Sequence, residues 1–314
     1  EVSGYCTTWN NQPNHISQSF QANLGFKKSS KIKSAVGRFS MISAHGADKD
    51  EISRETAMRT ISKRFPRRIQ EAIQQASECT ICALDHGVCR VNLQLQIVEF
   101  DMKSRPQQAG SEMMHFLNHL GSALVQRGMR INFIFNSVVD MANARRLIRE
   151  DIEQNVKLNV LGVGAFGHTE DIAILVCPCN EGNENLGRIE AVERLLYSGP
   201  PSSLVSRRCR KEYLQRPIIM INPSLEAIHP HSSTHKKVVP MFMSDFETAY
   251  YLDPHIMDHH GGRGKHYAGL LKAYPSKDWQ LWLRPGNREE FKLIWQRSQR
   301  PSEADLSPFL NGEI

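Results

Sequence analysis

The sequence contains no hydrophobic run long enough to form a membrane-spanning helix. Its longest apolar stretches, residues 158–166 and 172–177, fall well short of the ~18 apolar residues that such a helix needs. The chain has 314 residues, of which 40% are hydrophobic, enough to bury one substantial core or two small ones. We therefore expect a globular protein, and we expect any association with a membrane to be peripheral.

Acidic residues are missing from the N-terminal region. Residues 2–47 contain no Asp or Glu, whereas serine, threonine and amide residues surround several basic side chains: Lys27, Lys28, Lys31, Lys33 and Arg38. This composition is typical of an organellar transit peptide, and a disordered basic tail is the alternative. Because this region carries most of the net charge of +6, the rest of the chain is nearly neutral. Nucleic-acid binding is therefore not favoured.

The chain also lacks the helix that a dinucleotide site requires, although it has the glycines. Gly162, Gly164 and Gly167 spell G-x-G-x-x-G after a predicted strand, but a helix must begin directly after such glycines to bind the pyrophosphate. The apolar segment 171–178 follows instead and predicts another strand. The loop is too short for a parallel crossover, so we expect the flanking strands to be antiparallel neighbours or separate strands joined by a bend. No P-loop motif is present, and no cofactor is expected.

Hydrophobic periodicity predicts an α/β fold. From Pro66 onward, helical and strand-like segments alternate in the order α-β-α-β-α-β. This predicts a three-layer sandwich with a mainly parallel, Rossmann-like sheet. The first strand, 91–97, alternates apolar residues with Asn and Gln, which favours one wet face or a position near a sheet edge. Asp140 is expected to cap a short helix. Three C-terminal segments predict an antiparallel extension: 246–252, 268–275 and 279–284. Residues 288–296 then predict a closing helix.

These patterns divide the chain into three parts. Residues 1–47 are the predicted transit peptide or basic tail, 48–300 a single α/β domain, and 301–314 an irregular tail. Within the domain, a succession of short motifs resembles the DUF1995 family of plants, algae and cyanobacteria. The resemblance covers about Pro66 to Trp295 and rests on these motifs: "ALDHG" (83–87), "DIAILVCP" (171–178), "PIIMINPSL" (217–225), "FETAYYLDP" (246–254) and "GLLKAYPSKDWQLW" (269–282).

The resemblance implies a chloroplast protein, in the stroma or peripherally attached to the thylakoid. It implies an assembly or binding factor for the photosynthetic apparatus, similar to the low-PSII-accumulation factor of photosystem II. The implied partners are proteins of the thylakoid or of the photosystem assembly machinery. The same domain resembles a region attached to a chloroplast adenylate kinase, so a nucleotide- or metal-responsive enzyme is the alternative. The resemblance implies no catalytic residue.

Polar residues follow several of the predicted strands. The carboxyl ends of parallel strands meet at one edge of a sheet, and ligands of α/β proteins bind there. We therefore expect the following side chains to gather at this edge: Glu99, Asp101, Asn136, Asp140 and Asn222. Acids and amides of this kind could hold a polar ligand or a metal. They do not include a recognisable pair of nucleophile and base, so catalysis is not favoured.

Two clusters of basic residues stand out. The first lies at the start of the first predicted helix and consists of Arg64, Arg67 and Arg68. The second lies in the connection before the fifth strand and consists of Arg207, Arg208, Arg210 and Lys211. Such clusters could contact anionic thylakoid lipid or an acidic segment of a partner. A merely solvated surface is the alternative.

Histidine and cysteine groups predict no metal site. The histidines concentrate in one passage, where proline and glycine favour a loop: His229, His231, His235, His255, His259, His260 and His266. Their spacing does not provide the four recognisable ligands of structural zinc. The pairs Cys79 with Cys82 and Cys177 with Cys179 are interpreted as buried thiols. A regulatory thiol at Cys177 or Cys179 is the alternative.

Overall fold

The computed structural model describes residues 64–100, 106–163, 170–180, 186–198, 215–228, 237–258, 265–284, 290–302 and 305–306. All of these belong to the unit Ala47–Ile314. The predicted transit peptide, most of the C-terminal tail, Asp101 and the second basic cluster lie outside the described residues. Among the described helices, none is long and apolar enough to cross a membrane.

The strands form one large sheet and one small ladder. They are β1 (Arg90–Leu95), β2 (Ile131–Phe135), β3 (Val156–Val160), β4 (Ile172–Val176), β5 (Ile218–Ile221), β6 (Ala227–Ile228), β7 (Lys237–Val238), β8 (Glu247–Asp258), β9 (Lys265–Ala273), β10 (Trp279–Arg284) and β11 (Lys292–Arg297). The nine-stranded sheet has the order β11-β10-β9-β8-β1-β5-β4-β2-β3, and β6 pairs with β7. The strands β3, β2, β4, β5, β1 and β8 are parallel to one another, and β8 to β11 form an antiparallel meander. The predicted α/β sandwich, with its antiparallel C-terminal extension, is confirmed.

Helices cover both faces of the sheet. They are α1 (Ile69–Asp85), α2 (Pro106–Val125), α3 (Val138–Leu147), α4 (Glu150–Glu153) and α5 (Leu186–Glu193). A π-type turn follows α5 at Arg194–Ser198, and 3-10 turns occur at Val98–Phe100 and Met241–Asp245.

The main core lies between α1, α2 and one face of the sheet. Leu93 of β1, Phe133 of β2 and Ile219 of β5 are completely buried there, together with Leu117 and Leu120 of α2. Successive residues of a strand point to opposite faces, so the residues between them contact the other layer. A second apolar cluster is found on that side, where α5, the π-type turn and the Met241–Asp245 turn pack on the sheet.

β1 lies in the interior of the sheet, between β5 and β8. The prediction that it lies near an edge was therefore wrong, whereas on the predicted wet face Gln94 is half-buried and Gln96, just beyond the strand, is exposed. Its Asn92 is only 6% exposed. The amides of β1 thus mark the partly covered face of a central strand, and not a strand at the margin of the sheet.

β3 and β4 are parallel, and both pair with β2. The expectation of antiparallel neighbours was wrong, and the alternative of separate positions was confirmed. The connection between the two strands returns the chain to the opposite end of the sheet. Residues 164–169 of this connection lie outside the described residues. β4 begins at Ile172, so a phosphate-binding helix starting at His168 would have to occupy residues that form this strand.

The prediction of a closing helix at residues 288–296 was also wrong, because most of β11 lies in this segment. Phe291, Ile294 and Trp295 have helical spacing, but Lys292–Arg297 pairs antiparallel with β10. Trp295 lies opposite Leu281 in this ladder. Pairing between distant segments has overridden the local pattern.

Candidate functional site at the carboxyl edge of the sheet

The ends of four neighbouring parallel strands form one edge of the sheet. Glu99 follows β1, Asn222 follows β5, Cys177 follows β4 and Asn136 follows β2. Asp140 lies in the first turn of α3, directly beyond Asn136. The structure therefore brings the described members of the predicted set to the same edge.

The chain leaves this edge toward both faces of the sheet. After β1 and β2 it enters α2 and α3, which pack on the main core. After β4 and β5 it enters α5 and the Met241–Asp245 turn, which pack on the second cluster. The pairs β1/β5 and β2/β4 are therefore topological switch points, the places where open α/β sheets form ligand crevices.

Asn222 bridges the first switch point. Its Oδ1 accepts a hydrogen bond from the backbone N–H of Leu95 at 2.6 Å. Its Nδ2 donates to the carbonyl oxygen of Leu95 at 3.2 Å. The backbone of Asn222 has a φ of +46°, in the left-handed region that asparagine tolerates better than most residues. Both ends of the amide therefore join β5 to β1.

Asn136 bridges the second switch point in a similar way. Its Nδ2 donates to the carbonyl oxygen of Cys177 at 2.6 Å and lies 3.1 Å from the Cys179 sulfur. Its Oδ1 accepts from the Cys179 N–H at 3.4 Å and from Arg188 Nη1 at 3.1 Å. Arg188 also donates to the carbonyl oxygen of Asn136. The amide thus connects β2, β4 and α5. The proposed role of both asparagines in ligand binding stays a prediction.

Asp140 helps to begin α3, but it is not the capping residue. Ser137 is the N-cap, and its Oγ accepts a hydrogen bond from the Asp140 N–H at 3.1 Å. The same hydroxyl donates to Asp140 Oδ2 at 2.7 Å. The prediction that Asp140 caps this helix was therefore wrong, because the N-cap lies three residues earlier, at Ser137. A carboxylate in the first turn is favourable to the helix dipole.

The cysteines at this edge differ from a reactive thiol pair. Burial raises the pKa of the Cys177 thiol to about 12, and the neighbouring Cys179 and Asp140 act in the same direction. Burial likewise raises the pKa of Cys79 in α1. Cys177 has a φ of +47°, so this strand also ends in a left-handed residue. At neutral pH Cys177 is a protonated thiol and a poor nucleophile.

The described residues include no group of three or more His, Cys, Asp or Glu side chains that could hold a metal ion. His255 and His266 lie in the paired strands β8 and β9, so the prediction of a loop was wrong at these two positions. The remaining histidines of that passage lie outside the described ranges: His229, His231, His235, His259 and His260.

Exposed valines lie just beyond the carboxyl ends of three strands of the sheet. Val138 and Val139 begin α3 and are 60% and 68% exposed. Val98, after β1, is 57% exposed, and Val163, after β3, is 64% exposed. We call these four residues the valine rim. Single exposed apolar residues are ordinary, so the rim is of interest only because all four residues follow the carboxyl ends of strands in one sheet. Sequence patterns did not identify the rim, because they do not distinguish an exposed valine from a buried one.

Residues 66–307 match the family model described as "Domain of unknown function (DUF1995)". The chain belongs to the DUF1995 family. The match includes every strand from β1 to β11, and it extends beyond the region outlined by the sequence motifs. A search of curated proteins finds no match.

In the DUF1995 domain, the first basic cluster lies at the entry to α1. Arg64, Arg67 and Arg68 are exposed there. Arg67 forms an ion pair with Glu290 at 2.7 Å, and this contact lowers the pKa of the Glu290 carboxyl. The cluster therefore retains an excess of positive charge on the surface. It fits contact with an anionic surface as well as simple solvation.

Proposed function

We propose that the protein is a chloroplast binding factor for assembly of the photosynthetic apparatus, acting by protein–protein contact in the biogenesis of photosystem II. The proposal rests on the contrast between hydrogen-bonded amides and exposed valines at the carboxyl edge of the sheet. Asn136 and Asn222 bridge both switch points with their amides, whereas the valine rim remains exposed. This contrast supports recognition of a surface over chemistry in a crevice.

The energetics favour the same view. A ligand entering either switch point would have to replace hydrogen bonds that the asparagine amides already make within the chain. Each such bond contributes about 1 kcal/mol, and leaving its partner unsatisfied costs more. A protein that covers the valine rim breaks none of these bonds. Fully burying a valine side chain contributes about 1.5 kcal/mol or more.

The proposed location is the stroma or the thylakoid surface. The family resemblance supplies the chloroplast, and the exposed cluster of Arg64, Arg67 and Arg68 supports peripheral contact with anionic lipid or an acidic partner segment. Such contact would orient the protein, while the valine rim would supply the apolar part of the interface.

The test is capture of the tagged protein from intact chloroplasts. We compare the wild type with the double variant Val138→Asp and Val139→Asp, since aspartate in the first turn of α3 is compatible with the helix. The matched control is Met241→Asp, at a residue that is 91% exposed in the turn before β8. We expect photosystem II subunits or their insertion machinery with the wild type and the control, and their loss with the double variant. Absence of photosystem proteins from the wild-type sample, or equal recovery with all three proteins, contradicts the proposal.

A further inference from the structure

A strip of amide side chains runs along β1 on the second face of the sheet. Val91, Leu93 and Leu95 belong to the main core. Because successive strand residues point to opposite faces, Asn92 and Gln94 lie on the other side, and Gln96 continues the same alternation. The strip is uncharged over its whole length.

Apolar residues flank the strip on both sides. Asn92 lies beside Met220 of β5, which belongs to the second cluster. Gln94 lies beside Tyr251 of β8, which belongs to a separate cluster with Trp279. The strip therefore occupies the gap between two apolar clusters. The Tyr251 hydroxyl donates to Asp253 Oδ2 at 3.1 Å and accepts from Arg300 Nη2 at 2.8 Å, and the Arg300 guanidinium lies over the Tyr251 ring.

Burial increases along the strip in one direction. Gln96, at the carboxyl edge, is exposed, Gln94 is half-buried and Asn92 is only 6% exposed. Thr248, opposite Asn92, is half-buried. The ladder between β1 and β8 shifts register next to Asn92, and such irregularities are frequent beside binding sites. Burial and the register shift therefore both mark Asn92 as the most enclosed residue of the strip.

The most buried residue of this strip contains an unsatisfied hydrogen-bond acceptor. Oδ1 of Asn92 is buried and has no hydrogen-bond partner. A buried amide oxygen normally has one, because leaving it unpaired costs free energy. By contrast, the buried Asn118 accepts from the Arg149 N–H and donates to the Leu147 carbonyl. Asn92 Oδ1 is therefore free to accept a hydrogen bond from a donor outside the chain.

We propose that Asn92 binds a small uncharged ligand that carries an N–H donor, and that the strip from Asn92 to Gln96 is its binding cleft. An amide, or the amide-like edge of a heterocycle, has the required chemistry. Its N–H donates to Asn92 Oδ1, and its carbonyl can accept from the Asn92 amide nitrogen. The apolar walls at Met220 and Tyr251 contact the body of the ligand. The need of Oδ1 for a donor favours such a ligand over an anion that has no N–H or O–H group.

Acetamide is the probe for this site, in NMR titrations of the full chain. N,N-dimethylacetamide keeps the carbonyl but has no N–H, and acetate replaces the amide by a charge. We expect acetamide to shift the Asn92 side-chain and Thr248 signals in a saturable manner. Loss of one hydrogen bond corresponds to about tenfold weaker binding for N,N-dimethylacetamide. Acetate is expected to leave these signals unchanged.

The variant Asn92→Leu removes the acceptor and is expected to abolish the response while the protein stays folded by circular dichroism. Asn143→Leu is the matched control, because Asn143 is an exposed residue of α3. Retention of the acetamide response in Asn92→Leu overturns the proposal. Equal affinity for acetamide and N,N-dimethylacetamide also overturns it. So does the lack of any acetamide response in the wild type, which would indicate a site filled by water alone.

Discussion

Asn222 accepts a hydrogen bond from the backbone N–H of Leu95 at 2.6 Å, across the boundary between β5 and β1. Asn136 forms the corresponding bridge between β2 and β4. Both boundaries are positions where an α/β sheet can open a crevice. In this domain asparagine side chains occupy them, and the surrounding edge presents the valine rim.

The Asn222 bridge can be separated from its backbone conformation by two substitutions. Asn222→Gly keeps the left-handed φ of +46° but loses the amide. It should lower the free energy of unfolding by about 1–3 kcal/mol. Asn222→Ala should cost about 1 kcal/mol more, because alanine is strained in this region. Urea unfolding measures both values. Equal stability of the two variants would contradict the conformational part of this prediction.

Gly269 is required by the position of Phe65. A Cβ at residue 269 would lie 2.0 Å from Cζ of Phe65. Gly269→Ala should therefore lower the free energy of unfolding by about 1–3 kcal/mol. Combining it with Phe65→Ala should cost less than the sum of the single changes. Gly110→Ala is the control, because a Cβ meets nothing within 4 Å there. It should not destabilise α2. Additive losses in the double variant would rule out the steric explanation.

Cys177 should resist alkylation in the native protein. Its pKa is raised from 9.0 to about 12, so almost no thiolate is present at pH 8. Cys89 is exposed and provides the internal control. Iodoacetamide at pH 8, followed by peptide mass spectrometry, should label Cys89 first and Cys177 only after denaturation. Rapid native labelling of Cys177 would instead favour the regulatory-thiol hypothesis.

The same shift predicts a pH dependence of stability. The folded-state pKa of Cys177 lies above its ordinary value of 9.0, so the unfolded state loses this proton first as the pH rises. The contribution of Cys177 to the free energy of unfolding should therefore decline between about pH 9 and pH 12. Urea unfolding of the wild type and Cys177→Ala across this range isolates it. A Cys177 contribution that rises with pH would contradict the assignment.

The enzyme alternative makes an opposite prediction for nucleotides. Because both switch points are bridged by amides, ATP with Mg²⁺ should not change the melting temperature of the protein. A thermal-shift titration tests this directly. A rise of several degrees that disappears in Asn222→Asp would support a nucleotide site at the β1/β5 boundary and weaken the binding-factor proposal.

The location of the candidate residues could be predicted from the sequence. Asn136 and Asn222 each follow a strongly apolar segment, and carboxyl ends of parallel strands meet at one edge. Their hydrogen bonds could not be predicted in this way. Asn222 reaches Leu95 because β5 lies beside β1, and Asn136 reaches Cys177 because β2 lies beside β4. Neither neighbourhood follows from the order of the strands in the chain.

The errors in the sequence interpretation have the same physical origin. Ile294 and Trp295 look helical locally, but β10 offers β11 a ladder of backbone hydrogen bonds. The amides of β1 suggest a strand near the edge of the sheet, but β5 and β8 lie on either side of it. In each case a contact between distant segments decides the outcome, and local spacing contains no information about it.

Site-specific photo-crosslinking shows whether the valine rim is a protein-contact surface. A photoreactive residue replaces Val139 in one protein and Met241 in another, and both are irradiated in isolated chloroplasts. We expect crosslinks from position 139 to photosystem II subunits or their assembly proteins, and none of these from position 241. The same products from both positions, or no protein crosslink from position 139, would contradict it.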